Sequence, residues 1–129
     1  MPTEHTLDEN QQAVLKEVIT WFNETEREWV QEPKGRPMEI CTSDGIEDQK
    51  RKLWPLAGQI AKVCGFTPSV HEIIRPMRNW RCRAEGSKLV VVVVRLEKRA
   101  VHIKDDEYTY FSQGEIIYCV AAPPSSLQN

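Results

Sequence analysis

The chain is 129 residues long, 28% charged and 40% hydrophobic, with a formal net charge of −2, which excludes a disordered or fibrous chain and sets a single domain with its own core. No stretch approaches the roughly 20 apolar residues needed to cross a bilayer, and the polar, acidic start lacks a signal peptide's basic end and apolar middle, so an intracellular protein without membrane contact is expected. The charge is sorted into blocks: residues 1–48 hold 12 acidic and 4 basic side chains, residues 49–104 hold 3 acidic and 13 basic, and residues 105–129 hold 4 acidic and none basic. Either the blocks pair with one another inside one fold, or the basic middle offers a face to a polyanion.

Thr6-Leu7-Asp8-Glu9 has the form of a capping box and predicts a helix starting there. Val14, Leu15, Val18, Ile19 and Phe22 recur at helical spacing, flanked by Trp21 and Trp29, and Pro33 with Gly35 ends the run. Its glutamates face outward. Pro37 to Cys41 predicts a short strand with Met38 and Ile40 on one face.

Asp44-Gly45-Ile46-Glu47 offers a second capping box, and Leu53, Leu56, Ile60, Ala61 and Val63 to Cys64 give a second helical stripe that stops at Gly65. Pro55 removes the bond to the carbonyl of Arg51, so the expectation is a turn of helix, a kink, then the main helix. Thr67 to Asn79, with Pro68, Pro76 and several charged residues, reads as a loop or a short extra turn.

Trp80 to Ala84 alternates, putting Trp80, Cys82 and Ala84 on one side and Arg81 and Arg83 on the other. Glu85-Gly86-Ser87 reads as a turn, and Leu89 to Val94 is a β-branched run that belongs in the middle of a sheet with both faces covered or one face strongly buried. These two strands are expected to form a hairpin. Ala100 to Lys104 is a further strand, Gly114 introduces a last one from Ile116 to Ala121, and residues 123–129 form a tail beyond a domain of residues 1–122.

Enzyme signatures are missing: there is no G-x-S-x-G, Walker loop, H-E-x-x-H or G-x-G-x-x-G. His5, His71 and His102 are scattered and have no partner that the sequence can place. Cys41, Cys64, Cys82 and Cys119 are widely separated, with no C-x-x-C pair, and read as buried reduced thiols rather than zinc ligands. Asp105-Asp106-Glu107 reads as a solvated turn, because three consecutive acids do not converge on a cation. No metal or cofactor is expected.

The basic middle is the positive signal. Lys50, Arg51 and Lys52 open the second helix, Arg75 and Arg78 lie in the expected loop, Arg81 and Arg83 share a strand face, and Arg95, Lys98 and Arg99 follow the valine run. Arginine beside a strand-borne aromatic suits single-stranded nucleic acid, with guanidinium on phosphate and the ring under a base. Trp80 is the candidate ring, its alternative being a core tryptophan on the face of Cys82. Tyr108, Tyr110 and Phe111 have acidic neighbours, which favours packing or a protein contact.

From Trp21 to Val94 the order of features is a leading helix, a short Pro37 to Cys41 strand, a charged stretch with Arg51, then Leu56-Ala57, Gly65-Phe66 and Ser69, then arginine-bearing and valine-rich strands. This order resembles the R-three-H domain, a small α+β module of single-stranded DNA and RNA binding proteins. The family signature is an arginine followed four positions later by histidine; Arg51 supplies the first and Pro55 stands in place of the second. The resemblance implies contact of Arg51 with a nucleic-acid backbone.

The fold expected is α+β: two helices on one face of a mainly antiparallel sheet of three to five strands, with Leu89 to Val94 central. The function expected is non-catalytic binding of single-stranded RNA or DNA, with Lys50, Arg51, Lys52, Arg78, Arg81 and Arg83 on phosphates and Trp80 on a base. The alternative is a protein-interaction or scaffold domain that uses the acidic first helix or the Tyr108 to Phe111 cluster.

Overall fold

The computed structural model describes residues 3–65, 67, 70–83, 90–104 and 108–122. Its elements are β1 (Thr3–His5), α1 (Glu9–Glu24), β2 (Trp29–Gln31), β3 (Met38–Cys41), α2 (Ile46–Cys64), β4 (Val70–Pro76), β5 (Trp80–Arg83), β6 (Val90–Arg95), β7 (Ala100–Lys104), β8 (Tyr108–Phe111) and β9 (Ile117–Ala122). The fold is α+β with antiparallel pairing throughout these strands. A seven-stranded sheet runs β1-β7-β6-β9-β4-β3-β2, and β5 with β8 forms a separate two-stranded ribbon. The main sheet is thus wider than the three to five strands expected.

The valine run explains the layering. Val92 and Val94 point toward the helices and join Leu15, Val18, Leu53, Ile60, Ile73, Tyr118 and Val120 in the larger core. Val93 points the other way, into a second core with Met38, Ile74, Phe111 and Ile117. Because Phe111 belongs to β8, the ribbon covers the sheet face opposite the helices. Each such side chain removed from water contributes roughly 1.5–3 kcal/mol, and a run buried on both faces is stable only inside a sheet. β6 is paired with β7 on one side and β9 on the other, so the run presents no free edge.

This arrangement corrects the expected hairpin: β5 pairs with β8, not with the valine run. β5 alternates arginine with other residues and suits a ribbon with one open face, whereas β6 needs cover on both. The expected loop at Thr67 to Asn79 is corrected as well, since β4 is an inner strand between β9 and β3. Its charges look loop-like in sequence, yet Glu72 pairs with Lys50 and Arg75 with Glu39. Ile73 and Ile74 fill the two cores, and Pro76 comes last in the strand, where a missing N–H costs least.

The cap of α1 is Asp8, two residues later than the Thr6 expected. Asp8 accepts from the Gln11 amide at 2.8 Å, and the Gln11 side chain accepts from the Asp8 amide at 3.0 Å. The helix ends at Glu24, short of Pro33. Thr25 is extended, and the Arg27 guanidinium donates to the carbonyl of Trp21, at 3.1 Å from Nε, while lying 3.6 Å over its ring. A cation on a last-turn carbonyl satisfies both a free acceptor and the helix dipole. Trp29 then stacks on Phe22 from β2, with centroids 5.7 Å apart, which is why its spacing looked helical.

The second expected box does not form. Gly45 caps α2 in the left-handed region, at φ 92°, with no side-chain bond, while Ser43 Oγ accepts from the Glu28 amide at 2.5 Å. Pro55 lies inside one continuous helix. It and Arg51 are exposed, so the carbonyl that Pro55 leaves unbonded belongs to a turn open to water. Gly65 ends the helix as expected, its amide 2.8 Å from the Ala61 carbonyl.

Cys41 is buried and Cys119 half-buried, and neither is in a disulfide. The expected turns at Glu85-Gly86-Ser87 and Asp105-Asp106-Glu107, Leu89 and the tail at residues 123–129 lie outside the described residues. No helix among the described residues is long and apolar enough to cross a membrane.

Candidate nucleic-acid interface

The basic residues named from sequence fall into two groups in different layers. Lys50, Arg51 and Lys52 lie on α2, on the helix side of the sheet. Arg78 follows β4 in the bend at residues 77–79, and Trp80, Arg81 and Arg83 belong to β5, on the opposite side. The fold therefore does not gather all seven on one face.

The α2 cations each have an acid. Lys50 Nζ lies 3.1 Å from Glu47 and 3.3 Å from Glu72, with its side chain only 11% exposed. Burial alone would lower its pKa, but the two carboxylates outweigh it and hold the ammonium above its ordinary range. Arg51 Nη1 is 2.6 Å from Asp48 on the exposed helix surface. Lys52 Nζ is 2.9 Å from Glu17 and ties α2 to α1. Arg75 bonds Glu39 through Nε at 3.1 Å and Nη2 at 3.0 Å, and lies 4.4 Å over the Trp29 ring. Much of the charge sorting seen in sequence is thus spent within the fold.

The ribbon differs. In its register Trp80 faces Phe111, Arg81 faces Tyr110, Cys82 faces Thr109 and Arg83 faces Tyr108. Directly opposed residues share a face. Phe111 points into the second core, so Arg81 and Tyr110 occupy the outer face; Arg81 is exposed, and Tyr110 is 62% exposed. Arg78 is exposed and makes no ion pair or hydrogen bond among the described residues. The side chains of Trp80 and Arg83 lie outside the described ones. Tyr110 as the partner of Arg81 was missed in sequence, although the alternation of Tyr108 and Tyr110 with Thr109 and Phe111 carries a strand signal.

The segments that flank the ribbon are bonded to the sheet and to each other. The Gly114 amide donates to the Pro76 carbonyl and the Met77 amide to the Pro37 carbonyl, each at 2.9 Å. The Gln113 amide donates to Asn79 Oδ1 at 2.7 Å.

One further polar cluster lies on the helix side. His71 Nδ1 is 2.7 Å from the Tyr118 hydroxyl, and Trp54 packs on the imidazole with centroids 4.5 Å apart. Burial, then the Lys50 ammonium, lowers the His71 pKa against the opposing pull of Glu72 and Glu47. Burial holds the Tyr118 phenol protonated well above its usual range. Among the described residues no group of three His, Cys, Asp or Glu side chains could hold a metal ion. No family model, curated protein or solved structure matches the chain.

Proposed function

We propose that this chain is a non-catalytic domain that binds single-stranded RNA or DNA through the outer face of the β5–β8 ribbon. The observation that carries this reading is the Arg81–Tyr110 register pair, with a guanidinium and an aromatic ring side by side on an exposed strand surface. A ring of this kind stacks on any base, contributing about 1–3 kcal/mol per base. Arginine takes the phosphate, and Arg78 adds a second cation within the same segment. Base identity would matter little, because stacking on a ring and charge on a phosphate are tolerant of sequence.

The α2 group has a lesser part. Arg51 and Asp48 form an exposed ion pair of the kind worth about 1 kcal/mol or less, which a phosphate can replace, and this is where the R-three-H likeness enters. Lys50 and Lys52 are engaged in holding α2 to its neighbours. An intracellular location, nuclear or cytoplasmic, belongs to the same reading.

The test is fluorescence anisotropy of labelled single-stranded RNA and DNA at two salt concentrations. Micromolar binding that weakens steeply with salt is expected, abolished by Arg81→Glu and little changed by Lys52→Glu. Binding that survives Arg81→Glu sinks the proposal.

The internal pairing of the α2 cations favours a second reading, a protein-interaction domain. An open depression of about 470 Å³ beside α1, lined by Lys16, Glu17, Trp21, Glu24 and Lys52 among others, would then be the contact surface. That reading predicts loss of a protein partner on changing Glu24, with no salt-sensitive binding of nucleic acid.

A further inference from the structure

Arg95 ends β6 on the same face as Val93, toward the ribbon. Its guanidinium makes two bonds at once. Nη1 is 2.5 Å from Glu115 Oε2, in the turn before β9, and Nη2 donates to the backbone carbonyl of Tyr110 at 2.5 Å. The Arg95 and Glu115 side chains are 13% and 6% exposed. Among the described residues the other Glu115 oxygen has no hydrogen bond, and Lys98 Nζ lies 4.0 Å from it. A buried carboxylate so dependent on one guanidinium fixes that guanidinium in place, and the planar fork of arginine then sets the direction of its second donor.

We propose that Arg95, oriented by Glu115, is the positioning residue of the ribbon face. It grips the strand at Tyr110 itself, so the exposed ring and its register partner Arg81 are held at a fixed height and angle on the sheet. The inference rests on the reading of that face as the nucleic-acid surface. A ribbon ordered before it meets its ligand loses less freedom on binding, so releasing the grip weakens binding by roughly five- to tenfold without removing a single ligand contact.

The experiment compares the unaltered chain with Arg95→Met, Arg95→Lys and Glu115→Gln by hydrogen exchange and by anisotropy with labelled single-stranded RNA. Faster exchange over residues 108–114, with β4 and β9 still protected and affinity reduced, is the expected result, strongest in Arg95→Met and partly rescued in Arg95→Lys. Ribbon exchange that stays unchanged in Arg95→Met overturns the anchor, while loss of binding in Arg81→Glu would leave the binding face standing. Faster ribbon exchange in a chain whose unaltered form binds no nucleic acid overturns the binding face and leaves the anchor. Should Arg95→Met loosen the whole sheet, Arg95→Lys and Glu115→Gln decide: exchange raised equally in ribbon and core in both overturns the anchor.

Discussion

His71 and Tyr118 lie on neighbouring strands, and the Tyr118 hydroxyl sits 2.7 Å from Nδ1 of His71 while Trp54 covers the imidazole from α2. Burial holds the phenol protonated, so one proton lies between the two atoms, on the hydroxyl when Nδ1 is bare and on Nδ1 when the ring is protonated there. Lys50, Glu47 and Glu72 are the charges around this pair.

The pair gives the fold an acid limit. The folded chain holds His71 below its ordinary pKa of 6.5, so the unfolded chain binds more protons in that range. Stability is therefore full above the unfolded value and declines as pH falls through it toward the folded one. Thermal unfolding between about pH 7.5 and about pH 5.5 should show the melting temperature dropping, with a shallower drop in His71→Gln. An identical slope in the two proteins would remove His71 as the cause.

The alkaline side has the opposite sign. Tyr118 is raised by burial, and Lys50 is raised because Glu47 and Glu72 outweigh its burial. Both contributions are complete below the unfolded values, near 10.0 and 10.5, and are lost as pH climbs toward the folded ones. Tyr118→Phe should blunt the loss of stability above about pH 10 in a denaturant titration, at the expense of the bond to His71.

Pro55 is an exposed proline in the interior of α2. Alanine restores the bond to the Arg51 carbonyl and removes the ring clash, while loosening the unfolded chain, for a net gain of about 1–2 kcal/mol. Pro55→Ala should melt at a higher temperature; a lower one would mean that α2 is shaped around the proline.

Gly45 combines φ 92° with a close neighbour, since a Cβ there would lie 3.3 Å from Cζ2 of Trp21. Gly45→Ala should cost about 1–2 kcal/mol from the left-handed backbone, and tryptophan emission should shift as Trp21 gives way. An unchanged spectrum and melting temperature would count against this packing.

On the proposed binding face, Tyr110→Ala should weaken binding of single-stranded RNA by about tenfold or more, whereas Tyr110→Phe keeps the stacking surface and most of the affinity. Equal losses in the two variants would mean that the hydroxyl, not the ring, makes the contact.

Local signals were the legible ones. The stripe Leu53, Leu56, Ile60 and Ala61 with Gly65 behind it marked α2 and its end, and the unbroken valines marked an inner strand. Pairing was illegible because it depends on residues far apart: β5 finds β8 across the whole of β6 and β7. β4 was hidden because His71, Glu72 and Arg75 look solvated until Tyr118, Lys50 and Glu39 meet them. The candidate face was half legible, since Arg81 was named from charge and alternation while Tyr110 was assigned by its acidic neighbours to another role.

The strand order has a consequence for how the chain is made. β2, β3 and β4 form one half of the sheet and β1, β7 and β6 the other, and β9 is the strand that joins them. It is also synthesised after all of its partners. Until it arrives, Ile73 and Ile74 on one half and Val92 to Val94 on the other lack their shared neighbour, so the final assembly waits on the last strand. Each half-sheet can pair its own strands before then, but the seven-stranded sheet closes only when β9 joins them.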